Sequence, residues 1–265
     1  PVQCAEHADL RGVTPSPPSP DASEVETVAA RDGTPLLTRW WPTAGDPWGT
    51  ILVVHGLGEH SGRHDATGGR FADAGLAATS YDHRGFGASG GRRGYVDEWD
   101  DLLDDVEDRL DAGRTDGLPS AIFGHSLGGL IVADYLLSDR PRPDVAVLSA
   151  PALDGGNAFL RGLAAVLSRV RPTYAVTNPW NAEKTARDPR PPVVADPDPL
   201  SVRRTTGRLG HLLFVAMDRV NARLVEDGGF SLPTLVVHGG DDRLVPTAST
   251  AFLETYADRI VWGGD

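Results

Sequence analysis

The sequence predicts an α/β protein built on a mostly parallel, eight-stranded sheet flanked by helices. Short apolar runs that end in glycine-rich or charged turns alternate with helical patterns, and runs this short suit strands buried on both faces. Strands that alternate with helices are joined by right-handed crossovers and therefore lie parallel. A chain of 265 residues is long enough to bury about three-quarters of its surface in one core.

The first two strands are predicted to form an antiparallel hairpin, because Asp32-Gly33 supplies the positive φ of a tight turn between them. Six further apolar runs follow it. In chain order, the eight predicted strands are residues 25–30, 36–41, 51–54, 76–81, 121–123, 145–148, 235–237 and 260–262. The clearest helical pattern covers residues 99–112, whose acidic residues Asp101, Asp104, Asp105 and Asp108 are expected on a solvated face.

Two segments depart from this pattern. Four prolines fall between residues 15 and 20, and residues 1–23 hold too few apolar groups to offset the entropy of ordering them, so we predict a disordered tail. Residues 151–229 interrupt the strands with two helical patterns, at 159–170 and 209–224. We interpret them as a helical lid inserted into a core made of residues 24–150 and 230–265.

The two insertion helices differ in their apolar patterns. Phe159, Leu163, Val166, Leu167 and Val170 form one stripe of the first helix. Residues 212–217 of the second are apolar nearly all round, which predicts that more than one face is buried. One of those faces would line a tunnel, or the helix simply packs on the core; the sequence leaves both open.

Composition excludes several classes of function. The net charge of −12 repels phosphate backbones, so nucleic acid is not an expected partner. The single cysteine, Cys4, excludes an internal disulfide and fits a reducing compartment. No run approaches the ~18 apolar residues of a membrane span, and the N-terminus lacks a signal-peptide layout, so we expect a cytoplasmic protein. Because the chain starts at Pro1 and stops just after an apolar run, we expect both ends to be cut.

The pentapeptide Gly124-His125-Ser126-Leu127-Gly128 has the form G-x-S-x-G, which holds a serine hydroxyl at a sharp strand-to-helix turn. The motif alone is only a hypothesis, but its context fits: an apolar run precedes it and a helical pattern follows. Ser126 is therefore the candidate nucleophile.

A serine nucleophile requires oxyanion donors, a base and an orienting carboxylate. The glycine-rich turn after the third strand can aim the Leu57 amide at the serine, and the Leu127 amide would be the second donor. Asp241 and Asp242 follow the late strand 235–237, at the edge where such sheets build their sites, and we favour Asp242.

The base is the missing member. In this arrangement the histidine follows the acid, yet the chain has no histidine after His238. We expect the base in the loop that follows the last strand, beyond Asp265.

His60 and His64 lack the third ligand and the carboxylate of a zinc site, so neither a metal nor a cofactor is predicted. His55 and His83 are expected to hydrogen-bond turns, and residues 82–90 form a structural turn, since they lack the ending of a phosphate-binding loop.

Four ordered motifs resemble the monoacylglycerol lipase branch of the α/β-hydrolases: HGLGEHSGR at 55–63, DHRGFGASG at 82–90, GHSLGG at 124–129 and DRLV at 242–245. The similarity covers residues 24–265 and includes Asp198-Pro199-Leu200. It implies an α/β-hydrolase fold, with Ser126 as nucleophile, Asp242 as acid, and Leu57 and Leu127 as oxyanion donors. It also implies that Glu59 and Arg63 lie near the glycerol moiety, and that the base is the first or second residue after Asp265.

We therefore hypothesise a serine carboxylester hydrolase that cleaves monoacylglycerols or similar single-chain lipid esters through an acyl-enzyme. One alternative is a lysophospholipase or short-chain esterase, because the same residues serve any acyl transfer. Another is an inactive hydrolase-fold module that only binds its ligand. The sequence leaves open the acyl-chain preference, the oligomeric state, and whether the insertion makes transient contact with a membrane surface.

Overall fold

A central β-sheet organises the computed structural model, which describes residues 23–177, 198–242 and 244–262. Ten strands lie within these ranges, eight in the central sheet and two in a small separate ribbon. In chain order they are β1 (Glu24–Ala29), β2 (Pro35–Trp41), β3 (Gly49–Val54), β4 (Leu76–Tyr81), β5 (Ser120–His125), β6 (Val145–Ser149), β7 (Ala175–Thr177), β8 (Arg204–Thr206), β9 (Thr234–Gly239) and β10 (Asp258–Trp262).

The strand order of the central sheet is β1-β2-β4-β3-β5-β6-β9-β10. β1 and β2 form the antiparallel hairpin, with Gly33 at φ +83°, and β2 also pairs antiparallel with β4. From β4 to β10 every pairing is parallel. All eight predicted strands and the mostly parallel sheet are confirmed. The ribbon of β7 and β8 was not predicted, since three-residue strands leave no readable periodicity.

Five α-helices lie in the described ranges: α1 (Asp65–Asp73), α2 (Asp100–Ala112), α3 (Leu127–Leu136), α4 (Ala158–Val170) and α5 (Gly207–Asp227). The four predicted helical patterns match α2, α3, α4 and α5. β3 is buried along its whole length, and the larger apolar core lies between the sheet and α2, α3 and α5. A smaller cluster around Trp41 and Ile51 packs against α1 on the other face.

One expectation for α2 was wrong. Asp105 is not on a solvated face, because only 1% of the residue is exposed. Its two oxygens accept hydrogen bonds from the Nε and Nη2 of Arg84, each at 2.8 Å. A buried carboxylate is tolerated when a guanidinium pairs with both of its oxygens, and sequence periodicity gave no sign of that distant partner.

The insertion is attached to the core mainly through α5, which packs on α3. Asp134 of α3 is buried and accepts hydrogen bonds from Arg219 and, at 2.7 Å, from Trp99 Nε1. α4 in turn packs on α5, and Arg161 joins them by pairing with Asp218 at 2.7 Å. α5 is therefore joined to the core by an ion pair with the buried Asp134 as well as by packing.

The two insertion helices expose different amounts of apolar surface. Phe159, Leu163, Val166 and Val170 of the α4 stripe are exposed, by 74%, 41%, 58% and 71%. On α5, Val215 is 44% exposed, whereas the rest of the segment 212–217 is buried or partly buried, as expected for a segment with more than one face covered. Within the described ranges, no helix is both long and apolar enough to cross a membrane.

The predicted tail falls almost entirely outside the described residues, as does most of the proline-rich stretch between the two insertion helices. The domain boundaries at residues 24, 151 and 230 remain predictions.

The link between α5 and α3 predicts a measurable stability effect. Replacing Arg219 by alanine leaves the buried Asp134 carboxylate with only its tryptophan donor, so we expect the free energy of unfolding to fall by about 2 kcal/mol. Urea denaturation measures this. Arg208→Ala, on the same helix, is the matched control: its partner Glu98 is largely exposed, and the change is expected to cost at most about 1 kcal/mol. Equal effects of the two substitutions would contradict this account.

Candidate active site

Ser126 lies between β5 and α3 in a backbone conformation that few residues adopt. Its φ is +53° and its ψ is −114°. The Ser126 amide donates to Ser149 O at 2.9 Å, and its carbonyl accepts from Leu130 N and Ala152 N at 3.1 and 3.0 Å. These bonds hold a strained residue in place, with its side chain half-buried at the carboxyl edge of the sheet.

The glycines of this turn are required by close packing of main chains. A Cβ on Gly128 would lie 2.1 Å from Val54 O, and one on Gly124 would lie 2.5 Å from Gly128 O. A Cβ on Gly129 would lie 2.8 Å from the Pro151 side chain. β3 and α3 therefore approach the serine turn more closely than any side chain permits.

Residues 55–60 after β3 form a second turn, called the β3 turn, beside the serine. Glu59 N donates to Gly56 O at 3.3 Å, and Gly58 has φ +79°. A Cβ built on Gly56 would lie 3.3 Å from the Ser126 Cβ, so the two turns are in contact. In the described part of the chain no hydrogen bond occupies the main-chain amides of Leu57 or Leu127, and Leu127 opens α3. Free amides beside a serine and at a helix N-terminus favour a developing anion.

Glu59 supports the β3 turn from inside. Its Oε2 accepts the Gly56 amide at 3.0 Å and His64 Nε2–H at 3.2 Å. Burial raises the pKa of Glu59, but the hydrogen bond from His64 and the nearby His125 outweigh burial and hold the pKa well below its usual range. Arg63 Nε lies 3.7 Å from Glu59 Oε1, so these two predicted substrate-binding residues lie together beside the turn.

Two buried histidines fix the start of the turn. His55 Nδ1–H donates to Gly56 O at 2.8 Å, and its Nε2 accepts His83 N at 2.9 Å. His83 Nε2–H donates to His55 O at 3.0 Å. Burial lowers the pKa of His83 to about 4 and lowers that of His55 well below its usual value, so both rings are neutral near pH 7. The expectation that they hydrogen-bond turns is confirmed.

Sequence reasoning missed two supports of this site. Asp82 accepts the Ser61 amide on Oδ1 and the Ala88 amide on Oδ2, both at 2.7 Å, and so joins the 82–90 loop to the residue after the β3 turn. The signal available for Asp82 was its position at the carboxyl end of a buried strand. His64, considered only as a metal ligand, pairs with Glu59 and packs edge-on against His125, with the ring centroids 6.0 Å apart.

Asp242 follows β9 at the same edge of the sheet as Ser126, which follows β5, with only β6 between these strands. Strands two positions apart are separated by about 10 Å, a gap that side chains and one imidazole can bridge. Oδ1 of Asp242 accepts Leu244 N at 2.8 Å and Val245 N at 2.9 Å. Burial lowers the pKa of His125, and the negative charge of Asp242 has a smaller, opposite effect on that ring. The neighbouring Asp241 is exposed.

Among the residues that the structure describes, no group of three or more histidine, cysteine, aspartate or glutamate side chains is arranged to hold a metal ion. His60 and His64, the pair with metal-like spacing, are instead hydrogen-bonded to Asp198 and Glu59.

Known proteins resemble this chain over most of its length. The sequence model of the family described as serine aminopeptidase, S33 (Hydrolase_4) matches residues 45–260. A monoacylglycerol lipase of Mycolicibacterium smegmatis is 32% identical over 240 residues, which are 88% of this chain and 83% of that protein. A human monoglyceride lipase is 30% identical over 237 residues, 86% of this chain and 77% of its own length.

The fold is shared with solved structures as well. The crystal structure of a monoacylglycerol lipase from Paleococcus ferrophilus superposes with a TM-score of 0.74 at 27% identity, covering 86% of this chain and 89% of that one. Together with the sheet order, this likeness confirms the predicted α/β-hydrolase fold.

Because main chains approach closely at Gly128, a glycine-to-alanine substitution should destabilise the protein there, although the same substitution in an open helix should stabilise it. Gly128→Ala drives a methyl group into Val54 O, so we expect the free energy of unfolding to fall by about 3 kcal/mol or more. Gly162→Ala, in the open middle of α4, meets no atom within 4 Å and is expected to raise it by about 0.5 to 1 kcal/mol. Denaturant unfolding of both variants checks this, and a Gly128→Ala protein of wild-type stability would refute the packing argument.

Proposed function

Because this chain belongs to the serine aminopeptidase S33 family and is a monoacylglycerol lipase-like α/β-hydrolase, we propose that it cleaves monoacylglycerols or similar single-chain lipid esters through an acyl-enzyme. The observation that carries the proposal is the contact between the strained Ser126 and the β3 turn, where no hydrogen bond within the described ranges uses the Leu57 or Leu127 amide. Acyl transfer requires such amides to hold the oxyanion.

In the proposed mechanism, Ser126 Oγ attacks the ester carbonyl while a histidine takes its proton. The Leu57 and Leu127 amides donate to the oxyanion of the tetrahedral intermediate. The histidine then gives its proton to the departing glycerol oxygen, leaving an acyl-enzyme. Water, deprotonated by the same histidine, attacks the acyl-enzyme and releases the fatty acid. Asp242 holds the histidine in the required tautomer.

Glu59 and Arg63 are proposed to bind the glycerol hydroxyls. Both side chains are partly exposed, 22% and 32%, and they lie beside the turn that carries the Leu57 amide. One oxygen of Glu59 is engaged by Gly56 and His64, which leaves Oε1 as the acceptor facing Arg63. A carboxylate beside a guanidinium offers both an acceptor and donors to neutral hydroxyl groups, which supports a glycerol head group.

We further propose that the insertion is a lid whose α4 rests transiently on a lipid surface. The four exposed side chains of the α4 stripe lie on one face of the helix. An amphipathic helix with an exposed apolar face is stabilised when that face enters the boundary between lipid head groups and acyl chains.

We also propose that α5 lines an acyl tunnel. Leu212, Leu213 and Phe214 support this proposal, because they are apolar and only partly buried.

The catalytic roles are tested by substitution in the full-length chain with a monoacylglycerol as substrate. We expect Ser126→Ala to abolish hydrolysis and Asp242→Asn to lower kcat by about 10³- to 10⁴-fold, because the base loses its tautomer. Asp241→Asn is the matched control and should retain most of the activity.

Retention of activity by Ser126→Ala would refute the mechanism. A profile of activity against acyl length and head group separates monoacylglycerol lipase from lysophospholipase and short-chain esterase. A fluorophosphonate probe that fails to label Ser126 in the wild-type chain would favour the inactive binding module.

The membrane proposal is tested with phosphatidylcholine vesicles in a flotation assay. Phe159→Asp puts a charge in the exposed α4 stripe, and we expect vesicle binding to fall at least tenfold. Val225→Asp, at a 72% exposed site near the end of α5, is the control and should not change binding. Wild-type protein that stays free of the vesicles would contradict the proposal.

A further inference from the structure

Two residues of the insertion hydrogen-bond directly to the β3 turn. Val202 N donates to Gly58 O at 2.9 Å. His60 Nε2–H donates to Asp198 Oδ2 at 2.7 Å, across 138 residues of sequence. Gly58 follows Leu57, whose amide is the proposed oxyanion donor, and His60 closes the same turn. The insertion therefore contacts the proposed machinery itself, in addition to the helices behind it.

Asp198 is held firmly enough to act as an anchor. Its Oδ1 accepts Leu200 N at 2.9 Å, and its Oδ2 also accepts Ser201 Oγ at 3.1 Å. Burial raises the pKa of Asp198, but the hydrogen bonds from His60 and Leu200 outweigh it and lower the pKa, so the carboxyl group is ionised near pH 7. His60 and Val202 are each only 8% exposed, so water competes little for these contacts.

The β3 turn is consequently restrained from two sides. Glu59, a member of the turn, holds its first amide, that of Gly56. On the other side, Val202 holds the Gly58 carbonyl and Asp198 holds the His60 ring. Between these restraints lies the Leu57 amide. A hydrogen-bond donor stabilises a transition state only when it is held in place before the charge develops, so a loosened turn loses catalysis.

We infer that Asp198 is a positioning residue, which fixes the Leu57 amide through His60 and thereby makes the insertion a part of the oxyanion site. The inference rests on the proposed function and adds to it a residue far from the other motifs. Asp198 does not touch the reacting atoms. Its effect is expected on kcat, because the oxyanion forms only after the substrate is bound.

The test compares three variants of the full-length chain with a monoacylglycerol. Asp198→Ala should lower kcat at least tenfold and raise KM by a smaller factor, because Asp198 Oδ2 also lies 3.9 Å from Nη1 of Arg63, a proposed substrate-binding residue. Asp198→Asn keeps an acceptor for the His60 N–H and should recover most of the lost rate. Asp218→Ala, which removes another carboxylate of the insertion, paired with Arg161 and 68% exposed, is the control and should stay within twofold of wild type.

A second reaction isolates the oxyanion site. The phosphoryl oxygen of a fluorophosphonate is expected to occupy the same pair of amides, so the labelling rate of Ser126 should fall in parallel with kcat. Should Asp198→Ala prove poorly folded, His60→Asn replaces it, since an asparagine side chain is one bond too short to place its donor where the imidazole places Nε2–H. The thermal midpoint of each variant identifies a folding defect.

Several results would overturn the inference. One is an unchanged kcat in Asp198→Ala; another is a change confined to KM, which would indicate a role in substrate binding instead. Absence of ester hydrolysis and of Ser126 labelling in the wild-type chain would refute the proposed function. This outcome differs from failure of the Asp198 inference, which shows only in the variants. In that case amide hydrogen exchange tests whether Asp198 restrains the β3 turn. The amides of residues 56–60 should exchange faster in Asp198→Ala than in wild type or Asp218→Ala. Equal exchange rates would overturn the inference.

Discussion

The structure depends on a close approach of main chains at the serine turn. β5 must end, reverse its path through a residue at positive φ, and begin α3 within contact of the last residue of β3. Only the pairing of β3 with β5 at the centre of the sheet brings these segments together, and only glycine at positions 124 and 128 leaves room for them. The strain at Ser126 is balanced by three backbone hydrogen bonds and by the buried strands on either side.

Burial sets the charge state of the histidines around the serine turn. Desolvation lowers the pKa of His55, His83 and His125, so these rings act near pH 7 as neutral hydrogen-bonding groups. Neutral rings can be packed tightly where charged ones could not. Two carboxylates close to the β3 turn are committed to hydrogen bonds: Glu59 accepts from Gly56 and His64, and Asp198 accepts from His60. The charges beside the turn therefore have fixed partners.

Much of the fold could be predicted because its signals are local. A strand such as β3 is marked by its own apolar run, and the serine turn by five consecutive residues. The pairing of Asp105 with Arg84, the His60–Asp198 contact and the exposed face of α4 could not be predicted, because each depends on which distant segment packs there. Periodicity shows that a helix has an apolar stripe, but not whether protein covers that stripe. The roles of Glu59 and Arg63 came from the family resemblance alone.

The anchoring of the insertion has a consequence for protein engineering. Grafting the insertion onto a homologous scaffold is a common way to alter the selectivity of related enzymes. In such a graft Val202 would lose its hydrogen bond to the Gly58 carbonyl, and Arg219 would lose its pairing with the Asp134 carboxylate. A working chimera must therefore also contain Gly58 and Asp134, or equivalent hydrogen-bond acceptors. The insertion and the core of this molecule have to be exchanged together.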